Sequence, residues 1–129
     1  MMQMDFTEQE YARVRAWLLS AFERTPPVFD EAEMLEKLRN SEWHLVTGDH
    51  FAAVLELCKF EGEWIANVLL LGGEKNKSLK EIMRCQTIFC AFLKDQGFTK
   101  LVGTPRREWH KLILKNGFEK QEEEFIKRL

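Results

Sequence analysis

The stretch that most constrains this chain runs from Val68 to Glu81. Val68-Leu69-Leu70-Leu71 has no polar alternation, so a strand made from it must be covered on both faces. Gly72-Gly73-Glu74-Lys75-Asn76-Lys77 then breaks the strand. Ser78-Leu79-Lys80-Glu81 follows with the spacing of a capping box, in which a hydroxyl and a glutamate three residues later satisfy free amides at a helix start. A covered strand feeding directly into a helix calls for a sheet with helices on both faces.

The flanking segments agree. Thr7-Glu8-Gln9-Glu10 is another box, and Tyr11, Val14, Trp17, Leu18 and Phe22 recur as one apolar helical face until Pro26-Pro27 stops it. Asp30-Glu31-Ala32-Glu33 opens a second helix, with Met34, Leu35 and Leu38 turned inward. Trp43 to Thr47, Phe51 to Phe60 and Trp64 to Leu71 then read as an antiparallel meander joined at Gly48-Asp49 and Glu61-Gly62. The helix from Ser78 keeps Leu79, Ile82, Met83, Phe89, Cys90 and Leu93 on one face and ends at Gly97. Thr99 to Gly103 is a short strand, and Arg106 to Asn116 a helix with Trp109, Leu112 and Ile113 inward, stopped by Gly117. Phe125 to Leu129 is an edge strand after a solvated charge run. The predicted class is α/β (α+β): a mixed, mostly antiparallel sheet with helices on both faces, ordered α-α-β-β-β-α-β-α-β, in one domain spanning 1–129.

Composition removes several function classes. Nineteen basic residues against 21 acidic ones give a formal charge of −2, so no uniform field draws in nucleic acid or anionic membrane, and a nucleic-acid partner is not expected. No apolar run approaches the ~20 residues needed to cross a bilayer, and Met1 to Thr7 lacks a charged-then-apolar leader pattern, so a cytoplasmic protein is expected. Cys58, Cys85 and Cys90 cannot all pair and show no metal-ligand spacing; they read as structural thiols in a reducing compartment, with no metal site.

The junction at residues 71–78 is also where chemistry is most legible. A glycine pair lets a ligand approach the backbone, free amides and the positive dipole end mark the helix start, and Lys75 and Lys77 add charge. Leu71, Gly72, Gly73, Lys75, Asn76, Lys77 and Ser78 are therefore candidates for a phosphate or pyrophosphate cradle, the alternative being an ordinary turn with solvated lysines. Neither the Walker pattern nor the dinucleotide-binding glycine spacing is present.

The element order, the Gly-Gly break, the helix ending Lys94-Asp95-Gln96-Gly97-Phe98 and the later Leu114-Lys115-Asn116-Gly117-Phe118 resemble the GNAT acetyltransferase superfamily over roughly Trp43 to Leu129. Gly72-Gly73, Arg107-Glu108-Trp109 and the Gly-Phe step resemble, more narrowly, short GNAT-like proteins of tailed phages. The resemblance implies acetyl-CoA as cosubstrate, its pyrophosphate held by backbone amides of the loop after the third meander strand, and acetyl transfer to a primary amine. In this fold, specificity for that amine resides largely in the first two helices and their loops.

The chain departs from the family's usual Gln/Arg-x-x-Gly-x-Gly/Ala loop, since no Gly-x-Gly follows a basic residue and Glu74 adds an anion. The tyrosine that often protonates the departing thiolate is replaced by Ile113, and the only tyrosine, Tyr11, falls on an apolar helix face. The usual first strand is missing or reduced to Met1 to Met4, leaving a bare sheet edge.

Glu56 is the leading candidate base, because it interrupts Val54-Leu55-Glu56-Leu57-Cys58 in the strand before the cofactor strand; its alternative is a solvated surface glutamate. Glu63, His44, His50 and His110 are lesser candidates. Arg106 and Arg107 leave the Thr99 to Gly103 strand where the family's sheet splays open, placed to hold a CoA phosphate or an acidic substrate, or else to pair on the surface. The competing function is a catalytically inactive phage structural or internal virion protein, or a binding module, located in host cytoplasm or virion, with a homodimer or virion proteins as partners.

Overall fold

The computed structural model describes residues 2–24, 27–104, 110–121 and 124–129. Helix α1 (Glu8–Arg24) starts where the Thr7 hydroxyl accepts from the Glu10 amide at 3.0 Å. Helix α2 (Glu31–Arg39) starts where the Asp30 carboxylate accepts from the Glu33 amide at 2.9 Å. Both caps fall where the spacing put them. At the first, the Glu10 carboxylate turns away from the helix end, to Arg13 at 2.7 Å and the Thr47 hydroxyl at 2.6 Å.

Strands β1 (Trp43–Thr47), β2 (Phe51–Phe60) and β3 (Glu63–Gly73) form the expected antiparallel meander. Helix α3 (Ser78–Asp95) then crosses over to β4 (Phe98–Gly103), which lies parallel to β3, since parallel neighbours need a long connection. After α4 (His110–Lys115) come β5 (Glu119–Gln121) and β6 (Glu124–Arg128). The sheet order is β1-β2-β3-β4-β6-β5, with every pair but β3/β4 antiparallel. The predicted mixed, mostly antiparallel sheet is thus found, with one strand more than expected.

Three local expectations are corrected. Gly72 and Gly73 do not break the strand: they pair with Ala52 and Phe51 inside β3, and the turn begins at Glu74. The segment from Phe125 is not an edge, because β6 lies between β4 and β5; the exposed, polar β5 takes the edge, where charge opposes pairing with another chain. The third capping box does not form. Lys77 is the N-cap without a side-chain hydrogen bond, Ser78 is buried, and Glu81 bonds elsewhere. At the other edge, Gln3 exchanges backbone hydrogen bonds with Thr47 at 2.7 and 2.8 Å, so the reduced first strand survives as a single bridge.

Side-chain alternation along β2 divides the core. Ala52 and Val54 join Val14, Leu18, Met34 and Leu38 under α1 and α2. Phe51, Ala53 and Leu55 join Ile82, Cys90, Leu93 and Ile113 under α3 and α4. Helices therefore cover both faces, as the unalternating run in β3 requires. Gly97 and Gly117, which follow α3 and α4, take φ of +92° and +91°, the left-handed conformation expected of helix stops. Trp109 and the Leu112 side chain, expected inward, lie outside the described residues. No described helix is long and apolar enough to cross a membrane.

Candidate functional site

The site begins with a fork in the sheet. β3 and β4 are paired only from Trp64↔Phe98 to Val68↔Gly103. Beyond Val68, β3 runs on to Gly73 with β2 along one edge and no described strand along the other. The register shifts at the vertex: Val54 faces Leu70 while Leu55 faces Val68, which leaves Leu69 as an extra residue. Such a bulge bends a strand and increases its twist, which here carries β3 away from β4. Backbone groups on that free edge remain available to a ligand.

A cavity of about 160 Å³ opens at the fork. Val68 to Leu71 form one wall and Leu101 to Thr104 the other, with Ile82, Met83 and Phe89 of α3 across from Phe51 and Leu55. Its lining is almost wholly apolar.

Above the fork, the turn from β3 to α3 is closed by its own backbone. Glu74 donates its amide to the His50 carbonyl at 2.8 Å, and its own carbonyl accepts from Lys77 and Ser78 at 3.2 and 3.0 Å. Asn76 supplies the left-handed residue, φ +69°, a conformation asparagine tolerates better than most side chains. Lys75, Asn76 and Lys77 are exposed, and the Leu79 and Lys80 amides in the first turn have no carbonyl partner within the helix.

The glycines have a different explanation from the one expected. A methyl group at Gly72 would fall on the Trp17 carbonyl, and one at Gly73 would fall on Ser78 and 2.6 Å from the His50 carbonyl. The protein itself occupies the space their side chains would need. Leu71, beside them, is half-buried and lines the cavity.

Two acidic residues organise this region, and neither role was visible in the sequence. The Glu74 carboxylate binds the His50 Nδ1 at 2.8 Å and lies 3.6 Å from the Lys77 ammonium; the His50 hydrogen bond, with help from Lys77, holds its carboxyl below the usual carboxylate range. Glu81, 5% exposed, accepts from the Asp49 and His50 amides at 3.0 and 2.8 Å, which clamps α3 to the β1–β2 turn. The only advance signal was a glutamate at a capping position, whose carboxylate then found a distant pair of amides.

Glu56 lies on β2 directly between Trp43 of β1 and Asn67 of β3. Asn67 in turn pairs with Val102, so this row of residues is one step behind the vertex of the fork. Paired residues share a face, which puts the half-buried Glu56 on the side of α1 and α2. Ala52, paired with Gly72, is four residues away along β2, or about 13 Å at strand rise. Burial, with the nearby Glu56 charge, pushes the Cys58 thiol up.

The lesser candidates are drawn into other contacts. Glu63 is 3.2 Å from Lys100 at the opposite end of β3, and His110 rests against the Phe125 ring at 4.5 Å between centroids. His44 is half-buried opposite Leu55. Tyr11 is buried and donates to Glu31 at 2.6 Å, and burial followed by that carboxylate raises its pKa further from neutrality. Ile113 lines the cavity and offers no proton. All three cysteines are free; Cys90 is buried, but Cys58 and Cys85 are only half-buried. Arg106 and Arg107 lie outside the described residues.

No family model and no curated protein matches this sequence. Solved structures do match in fold. An N-acetylglutamate synthase from Neisseria gonorrhoeae, complexed with coenzyme A and N-acetyl-glutamate, is 12% identical with a TM-score of 0.70; the match covers 100% of this chain and 35% of that one. The chain thus spans about a third of that synthase. An N-acyl amino acid synthase from uncultured soil microbes is 12% identical with a TM-score of 0.72, covering 100% of this chain and 89% of its own. A GNAT family acetyltransferase from Brucella melitensis in complex with acetyl-CoA is 12% identical with a TM-score of 0.62, covering 100% and 88%. At these identities the shared property is the fold, and the fold is that of the GNAT acetyltransferases.

Proposed function

We propose that this chain binds acetyl-CoA in the fork between β3 and β4 and transfers the acetyl group to an amine. The observation that carries this reading is the free edge of β3 from Leu69 to Gly73, standing over an apolar cavity beside the capless start of α3. The fold neighbours with coenzyme A or acetyl-CoA bound support it. The residues present fit the group: exposed Lys75 and Lys77 and the free Leu79 and Lys80 amides suit its phosphates, and the β3 edge offers amide partners for an extended arm.

When bound, acetyl-CoA supplies a thioester carbonyl as acyl donor. The chain's part is chiefly orientation. The acceptor nitrogen forms the C–N bond as the C–S bond breaks, and the proton it loses passes to Glu56, directly or through water. Ile113 cannot protonate the departing sulfur, so that proton comes from solvent.

Thermal denaturation with acetyl-CoA tests this reading. Millimolar acetyl-CoA should raise Tm by several degrees, and Lys75→Ala with Lys77→Ala should reduce the rise. Gly73→Asp is a poor probe because its side chain collides with Ser78 and the His50 carbonyl. Glu56→Gln should leave binding intact and lower turnover by about 10²-fold or more. No rise in Tm overturns the reading.

Ile113 and the occupied Tyr11 favour one alternative, a non-catalytic GNAT-fold protein of a tailed phage that assembles with itself or with virion proteins. It would copurify with a large assembly and keep that property when Lys75 and Lys77 are replaced.

A further inference from the structure

Among the described residues, the cavity below the fork carries a single charged side chain, Arg24. Arg24 is the last residue of α1, exposed, and makes no hydrogen bond or ion pair among the described residues. The other arginines within α1 and α2 are all engaged: Arg13 with Glu10 at 2.7 Å, Arg15 with Glu31 at 2.7 Å and Arg39 with Glu8 at 2.6 Å. Among the described residues no carboxylate lines the cavity to neutralise it, and of the remaining polar lining, Gln86 is held by Lys127 at 2.6 Å. An apolar space with one unmatched guanidinium at its α1 side is complementary to an apolar molecule bearing one anion. A planar guanidinium matches a carboxylate with two parallel hydrogen bonds.

Position separates this group from the phosphate-binding candidates. Ala21, one turn before Arg24, packs beside Gly72 on the α1 face, whereas Lys75 and Lys77 belong to the turn leading into α3. A multiply charged phosphate head has nothing to match in the apolar lining beyond Arg24 among the described residues.

We propose that the acceptor is an α-amino acid with an apolar side chain, its carboxylate held by Arg24 and its side chain lying in the cavity. This rests on the acyl-transfer reading above, and its test is kept separate from turnover. The product-like probe N-acetylleucine and its neutral counterpart N-acetylleucinamide are titrated into the full chain by calorimetry or NMR. Wild type binds the acid about 10-fold or more tightly than the amide. Arg24→Ala abolishes that difference, Arg24→Lys restores part of it, and both variants keep the wild-type melting curve and the Tm rise with acetyl-CoA. Equal binding of acid and amide, or no binding of either, overturns the proposal; so does a loss of acetyl-CoA binding in Arg24→Ala, which would assign the guanidinium to the cosubstrate. If the acid binds through Arg24 while acetyl-CoA gives no Tm rise, the carboxylate site stands and the acyl-transfer reading fails.

Discussion

The two faces of this sheet are made from the same strands but finished differently. Under α1 and α2, Val14, Leu18, Met34, Leu45, Ala52 and Val54 are fully buried, and the α1 backbone comes down directly on Gly72. Under α3 and α4, Met83, Cys85 and Phe89 are half-buried around a cavity of about 160 Å³. Helices α1 and α2 close one face. On the other, the strands beneath α3 part at Leu69, so packing stops where the fork opens. A strand sequence rich in leucine therefore serves two ends, closing a core on one side and lining a site on the other.

The contrast breaks first at its tightest point. Gly72→Ala should cost about 3 kcal/mol or prevent folding, because the methyl meets backbone that cannot yield, while Gly103→Ala across the fork, 3.3 Å from Val68 Cβ, should cost under about 1 kcal/mol. Comparable urea midpoints for the two variants would remove the distinction. Leu18→Ala should cost about 2–5 kcal/mol, whereas Met83→Ala, beside space that already exists, should cost less than about 1.5 kcal/mol. Equal costs would mean that the α3 face is packed as tightly as the other.

The polar ties that fasten helices to the sheet and its turns give smaller effects. Glu81→Gln should destabilise by about 2 kcal/mol in urea titrations, since the Asp49 and His50 amides lose a charged acceptor. The smallest effect is a pH dependence. The Arg13 guanidinium, joined by the Thr47 hydroxyl, pulls the Glu10 carboxyl down from 4.5 to about 2. A carboxyl depressed by folding stabilises above its unfolded pKa, and that contribution is lost as pH falls from 4.5 towards 2. The loss should be on the order of 1 kcal/mol, as for a pair near the surface, and Glu10→Gln should flatten this part of the stability profile. An unchanged acid limb in that variant would deny the pair its role.

Legibility in the sequence followed locality. The Thr7 and Asp30 caps, the glycine stops and the meander depend on neighbours a few residues apart, and each was readable. The Ser78 box had the same local pattern and failed, because Glu81 has better donors in a turn 31 and 32 residues away. Gly72 and Gly73 read as places where a ligand comes close, but a sequence pattern cannot say what approaches, and the Trp17 and His50 carbonyls and Ser78 already stand where their side chains would be.

What the sequence determined by itself is the set of elements, their buried faces and the need for helices on both sides, since periodicity and capping act within a turn or two of chain. What only the tertiary structure decided is the register shift at Leu69, the fork it opens, the charge left unmatched on Arg24 and the clamp at Glu81. These depend on which distant groups meet when the sheet closes, and that is set by the summed packing of both layers rather than by any local segment.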